Sequence, residues 1–339
     1  MFSNIARLRR WLPGLCLLAC ASVAHGGNCP LERLAEVPMF LTKGGQITVP
    51  VEVNGIHVRM ALDTTSSLTN IYSGALAGLS LKPRNNVRPG VFYAGSKPLT
   101  QTVNIDSLKM AIIRWPQANA VVYPWNGQYP GLLAEDDVVG SLGQGALSGV
   151  DFELDFADRK LRLYPHKHCP GGVVYWTTAF DVLPLLKDQL GDTYIVMMAN
   201  GKPMAANMAS MSPISSLEED VARKVLGLDH STAGVDATGD GDGCSACGSI
   251  TLKGQGLEIP NARVSMIRTI TPGCHFSGPT LVGTPAQYDC GGAFPLHIGM
   301  NVLSRLHLYF ATQEKKVYFT ERDAGRPRVE STAAPTGAP

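Results

Sequence analysis

The stretch MALDTTSSLTN, Met60 to Asn70, places one carboxylate, Asp63, directly after an apolar run and before four small hydroxyl residues. Two kinds of chemistry suit a carboxylate there. It can accept the backbone N–H groups of the loop that follows, the common work of Asp at turns and caps. Placed in a cleft, it can instead take a proton from water or give one to a substrate. Other acids stand in Asp236-Ala-Thr-Gly-Asp240-Gly-Asp242-Gly and at Asp289 beside Cys290. The first of these groups lacks the twelve-residue pattern of a calcium loop and its terminal Glu, so it reads as a turn-rich loop.

Thiol and imidazole groups offer further chemistry. Eight cysteines are present, with Cys16 and Cys20 inside an apolar leader and Cys29, Cys169, Cys244, Cys247, Cys274 and Cys290 beyond it. GCSAC has the Cys-x-x-Cys spacing of a redox pair, Cys244 with Cys247. It could also join Cys274, His275 and Cys290 around zinc. A redox pair should open a helix after a strand, whereas this one sits in a Gly/Asp loop, and a structural disulfide is the preferred reading. A clip between Cys29 and Cys169 is also plausible. His166 and His168, in YPHKHCP, form a His-x-His pair with no third ligand indicated. His57 and His307 sit in strand or turn settings. No Gly-x-Ser-x-Gly elbow supports serine hydrolysis. The sequence gives no motif for a cofactor, and no metal site is expected.

The chain that must position these groups has 339 residues, 45% hydrophobic and 17% charged, with a net charge of +1. That suffices for a large domain or two lobes, and without a basic run it argues against nucleic acid as a partner. Residues 1–24 read as an export signal: Arg7, Arg9 and Arg10 precede an apolar run that ends in small residues. LLAC, Leu17 to Cys20, also matches a short lipobox that would make Cys20 a lipidated N-terminus. The expected location is therefore outside the cytoplasm, in the periplasm, with a possible lipid anchor at Cys20. An even set of six cysteines suits that compartment. From about 322 to 339 a Pro/Ala/Thr-rich tail predicts disorder.

An internal repeat organises the rest. Val51–Leu68 (VEVNGIHVRMALDTTSSL) aligns with Met197–Ile214 (MMANGKPMAANMASMSPI) at a shift of 146, which brings Asn54-Gly55 onto Asn200-Gly201. Ser141–Tyr164 aligns with His297–Thr320 at a shift of 156, which brings Leu142-Gly143 onto Ile298-Gly299 and Leu147-Ser148 onto Leu303-Ser304. The difference between the shifts predicts an insertion in the Cys-bearing loop. Ile47, Val49, Val51 and Val53 alternate as a half-buried strand does, and Asn-Gly then signals a hairpin. SPISSLEEDVARKVLGL, Ser212 to Leu228, predicts a helix with Ser215/Glu218 and Ser216/Glu219 at capping-box spacing. YSGALAGLSL predicts its counterpart in the first half. The result is an all-β, two-lobed architecture with short helices. Its first lobe spans 25–165, a linker 166–190 and its second lobe 191–321.

The order of apolar strand, Asn-Gly turn, apolar strand, Asp-Thr, short helix, then (Leu/Ile)-Gly-x-x-x-Leu and a closing hairpin resembles the retropepsin-like aspartic proteases, nearest to their exported bacterial two-repeat members. The resemblance runs from about Gln46 to Thr320. It implies an acid-protease fold in which one Asp from each half meets its partner between the lobes. Two carboxylates so close share one proton, one activating water and the other protonating the peptide carbonyl. The family ties its two loops together through a Thr or Ser after each Asp, turns the backbone with a following Gly, and covers an extended peptide with a hairpin flap.

Here Asp63 and Thr64 match, Thr65 replaces the Gly, and the shift of 146 sets Ala209, Ser210 and Met211 opposite Asp63, Thr64 and Thr65. The second carboxylate is missing. The expectation is a degenerate member that binds a peptide or protein segment between its lobes without efficient hydrolysis. Two alternatives stay open. One is an active endopeptidase in which Asp63 works with a non-standard group such as Asp236, Asp240, Asp242 or Asp289. The other is a thiol-redox protein using Cys244 and Cys247.

Overall fold

The computed structural model describes residues 31–85, 93–94, 97–124, 137–188, 191–229, 246–268, 276–277, 287–288 and 294–325. Its strands form a six-stranded sheet between two larger sheets, one in each lobe. Asn54 and Gly55 both take positive φ, as do Asn200 and Gly201. Each pair closes a two-residue hairpin, because only such backbone angles match the twist of the flanking strands. The turns join Ile47–Val53 to Ile56–Asp63 and Thr193–Ala199 to Lys202–Met208. Alternate residues Ile47, Val49, Val51 and Val53 are all at most 3% exposed. Each such side chain contributes about 1.5–3 kcal/mol of burial.

The two lobe sheets are wired alike. In the first, Val138–Gly143 lies parallel to Ile56–Asp63, with Leu142 beside Leu62 and Gly143 beside Asp63, and antiparallel to Asn70–Tyr72. In the second, Leu296–Ile298 lies parallel to Lys202–Met208, with Ile298 beside Met208, and antiparallel to Ser215–Glu218. Where each inserted strand ends, the chain passes so close that only glycine fits. A Cβ on Gly143 would stand 2.0 Å from the Leu68 carbonyl oxygen, and one on Gly299 would stand 2.5 Å from the Ile214 carbonyl carbon. These are the two glycines aligned by the 156-residue shift.

The six-stranded sheet runs in the order Ala35–Pro38, Lys160–Tyr164, Asp151–Asp155, Leu306–Ala311, Lys316–Glu321, Asp181–Pro184. The lobes meet at its centre, where Glu153 pairs with Tyr309, its own equivalent at the 156 shift, and Phe152 with Phe310. An approximate two-fold axis passes through that pair. Phe152 and Phe310 stack with centroids 4.4 Å apart on the face shared with the lobe cores. The opposite face carries Tyr164, Tyr309 and Tyr318, packed with Val173 and Trp176. Residues 166–190, read from sequence as a linker, thus supply side chains that cover this sheet, and Asp181–Pro184 is its last strand.

One local reading changes. The helix expected over 212–228 occupies only Glu219–Leu226, ending at Gly227 in the left-handed conformation. Ser215–Glu218 is instead a strand, parallel to Val264–Ile267. The predicted capping serine is used elsewhere: Ser215 Oγ donates to Asn301 Oδ1 (2.8 Å) and accepts the Gly299 N–H (2.9 Å). Sheet hydrogen bonds outweighed the local capping pattern. In the first half the counterpart helix is a three-residue 3-10 turn, Ser73–Ala75. The Cys-bearing loop, where an insertion was expected, lies outside the described residues. No helix among the described residues is long and apolar enough to cross a membrane.

Candidate functional site: the Asp63 loop between the lobes

Asp63 is the last residue of its strand and is 9% exposed. Its Oδ1 accepts the backbone N–H groups of Thr65 (3.0 Å) and Ser66 (3.1 Å), and the Thr65 hydroxyl donates to the same oxygen at 2.7 Å. The small hydroxyl residues seen in the sequence are therefore the carboxylate's own loop. Thr65, where the resemblance implies glycine, is absent from the described non-glycine residues with positive φ. The expected conflict of a β-branched residue with positive φ does not arise. Its hydroxyl adds a bond that glycine could not make.

The next residue joins the lobes. Thr64 N–H donates to Ser210 Oγ at 3.0 Å, and the Thr64 hydroxyl lies 3.1 Å from the same oxygen while also reaching the Met208 carbonyl. Ser210 Oγ donates to the Leu62 carbonyl at 2.5 Å, and the Ser210 N–H points back to Thr64 Oγ1 at 3.4 Å. Thr64 and Ser210 are 1% and 0% exposed. They are 146 residues apart, the shift at which the repeats align. The register inferred from sequence is the register of the fold, so Ala209 holds the position equivalent to Asp63. Ala209 is 5% exposed and donates its N–H to the Ile298 carbonyl (2.8 Å). Thr64 and Ser210 tie the two loops together, and Ala209 brings no carboxylate to its loop.

A third set of contacts was not legible in the sequence. The start of the second lobe's first hairpin lies along the Asp63 loop: Thr193 Oγ1 donates to the Thr64 carbonyl (3.0 Å), and Thr193 N–H to that of Thr65 (3.1 Å). Asp192 Oδ1 accepts the Ser67 N–H at 3.0 Å. Burial raises the Asp192 carboxyl above its ordinary pKa, the Ser67 N–H opposes this, and the negative charges of Asp188 and Asp63 add to the rise. Asp192 and Tyr72 both feel the charge of Asp63; the Tyr72 phenol is pushed up by burial and then by that carboxylate. Asp192 falls on Gln46 at the 146 shift, so the repeat itself gave no hint of an acid there.

The other sequence-named groups lie away from this loop or outside the description. Asp236, Asp240, Asp242, Asp289, Cys29, Cys244, Cys274 and Cys290 lie outside the described residues, as do the export signal with Cys20 and all but the first residues of the tail. Cys169 lies in the segment between the lobes, and Cys247 starts a strand and is 2% exposed. His57 is exposed on its strand. His166 and His168 both turn to the buried Asp151, with His168 Nε2 2.5 Å from Oδ2 and His166 Nε2 3.5 Å from Oδ1.

Among the described residues, the one trio whose ligand atoms all lie within 4.8 Å of one another is Glu153, Asp155 and His307. A cation is already there. Arg162 Nη1 stands 2.6 Å from Glu153 Oε1 and 3.0 Å from Asp155 Oδ2, and His307 Nε2 stands 2.8 Å from Glu153 Oε1. Burial raises the Glu153 pKa, but hydrogen bonds from His307 and Tyr164 and the charges of His307 and Arg162 outweigh it and hold the carboxyl low. This cluster is a satisfied ion network joining the lobes. A metal would have to displace the guanidinium, which stays charged in proteins.

A two-lobed β protein of the acid-protease type is thus defined by the paired lobe sheets, the shared six-stranded sheet and the Thr64–Ser210 tie. Residues 49–146, the part of the first lobe that carries Asp63, match the family model described as aspartyl protease. No curated protein matches the sequence. Solved structures with similar folds include basic 7S globulin from soybean, at 10% identity and a TM-score of 0.49, covering 88% of this chain and 98% of that one. Another is the aspartic proteinase from Irpex lacteus, at 12% identity and a TM-score of 0.47, covering 86% and 98%.

Proposed function

We propose that this protein holds an extended peptide or protein segment between its lobes and does not hydrolyse it efficiently. The observation that carries the reading is Ala209 opposite Asp63 across an intact Thr64–Ser210 tie. Without a second carboxyl there is no shared proton to divide the roles of base and acid. An extended segment can still gain affinity from main-chain hydrogen bonds to exposed strand edges. The proposed setting is extracytoplasmic, through the signal over residues 1–24 or a lipid anchor at Cys20. In this reading the cysteines are structural rather than redox-active.

A second reading, an endopeptidase that pairs Asp63 with a non-standard acid, is favoured by Asp192. Its Oδ1 holds the Ser67 N–H of the Asp63 loop, and burial and the charges of Asp188 and Asp63 raise its carboxyl. Mature protein incubated with a mixed peptide library from acid to neutral pH, with products read by mass spectrometry, separates the two readings. Binding without cleavage supports the first. Cleavage by the parent that is lost in Asp63→Asn overturns it, and Asp192→Asn then tests the second.

A further inference from the structure

Beside the Asp63 loop lies a cavity of about 400 Å³ lined by Gln144, Ser148, Leu185, Leu186, Lys187, Thr312 and Lys315. It is built from both halves of the chain. Gln144 belongs to the turn after the inserted strand, and its N–H donates to the Ser66 carbonyl at 2.8 Å. The Leu185 N–H donates to the Lys315 carbonyl at 2.8 Å, which fixes the opposite wall.

The lining has a definite chemical character. Gln144 is 6% exposed, and its Nε2 is buried without a hydrogen-bond partner. Gln144 closes the floor of the cavity with this group turned away from the open space. Two lysines and no acidic residue line the wall. Neither Lys187 nor Lys315 makes an ion pair among the described residues. The nearby acid Glu314 is committed to Tyr318, Lys316 and Gly171. Thr312 is likewise spent on Val150 and Asp151. Leu185 and Leu186 supply an apolar wall beside these charges.

We infer that this cavity is a binding site for an aliphatic carboxylate, whose oxygens meet Lys187 and Lys315 while its apolar body rests on Leu185 and Leu186. The volume falls in the range of small-ligand sites. Charge-assisted hydrogen bonds to a carboxylate are about twice as strong as neutral ones, so the acid should be preferred over its amide. Two sources share this chemistry: the C-terminal end of a peptide with an apolar last residue, and a free fatty acid.

Calorimetric titration of the mature protein tests the site, with N-acetyl-leucine, N-acetyl-leucinamide and octanoate as probes. At least one of the two acids should bind, the amide about tenfold or more weaker than N-acetyl-leucine, and affinity should fall as salt screens the lysines. Lys187→Met and Lys315→Met, both at exposed positions, should each weaken acid binding about tenfold, and Asp63→Asn should leave it unchanged. Preference for N-acetyl-leucine supports a peptide terminus, and preference for octanoate supports a fatty acid. Equal binding of acid and amide, an unchanged affinity in the double lysine variant, or no binding of either acid at millimolar concentration would overturn the proposal. Because Asp63 is not part of this cavity, its failure would leave the interlobe reading standing.

Discussion

Ser210→Ala tests the tie between the lobes directly. The hydroxyl it removes donates to the Leu62 carbonyl and accepts the Thr64 N–H, at 2.5 and 3.0 Å, in surroundings where Ser210, Leu62 and Thr64 are at most 1% exposed. Alanine fits the space, so the loss is polar rather than steric. Each buried group left without a partner costs about 1–3 kcal/mol. The Leu62 oxygen retains capacity for strand pairing, so the Thr64 N–H should dominate, and a total of about 2–4 kcal/mol follows. For a chain of this size that corresponds to a fall in Tm of roughly 3–6 °C. Urea unfolding followed by tryptophan fluorescence reports the change, through Trp176, which stacks on His307 at the lobe junction. Thr64→Val should cost a similar amount, and the double variant less than the sum, because both remove one network. A change below about 0.5 kcal/mol with an unaltered denaturant slope would refute the reasoning. It would mean that water replaces the hydroxyl and that the halves are held elsewhere.

Further outcomes follow from the same geometry. Gly143→Ala forces a Cβ to 2.0 Å from the Leu68 carbonyl oxygen, so the soluble, folded yield should collapse, as circular dichroism and expression would show. Burial lowers the His297 pKa to about 4, against an opposing hydrogen bond to the Phe294 backbone. The folded state therefore resists protonating this ring. Stability is complete above the unfolded pKa of about 6.5 and declines as pH falls toward 4, by up to about 3 kcal/mol. Unfolding midpoints between pH 4 and 7 should show that slope, and His297→Gln should flatten it. Ala209→Asp restores a carboxyl at the position equivalent to Asp63, and on the proposed function it should introduce peptide cleavage below neutral pH. That cleavage should vanish when Asp63→Asn is added.

What the sequence determined by itself was whatever depends on neighbouring residues or on repetition. Asn54-Gly55 and Asn200-Gly201 announced their hairpins because the required backbone angles are local. The 146 shift placed Ser210 against Thr64 and Ala209 against Asp63, because two copies of one supersecondary unit related by a two-fold axis must bring equivalent residues together. The 156 shift likewise marked Gly143 and Gly299, whose close contacts the fold requires.

Tertiary structure decided what depends on elements far apart in the chain. Ser215–Glu218 carried a helix-start pattern and became a strand, because pairing with Val264–Ile267 and bonds to Asn301 and Gly299 outweighed it. Asp192 and Thr193 reached the Asp63 loop across more than 120 residues with no counterpart in the repeat. Arg162 was an ordinary strand residue in sequence, and folding set it among Glu153, Asp155 and Glu36. Gln144, Lys187 and Lys315 share a cavity only because the two lobes close on one sheet. Periodicity reports which face of a strand is buried. Which charges meet beneath that face is settled by packing between strands, and no local pattern encodes it.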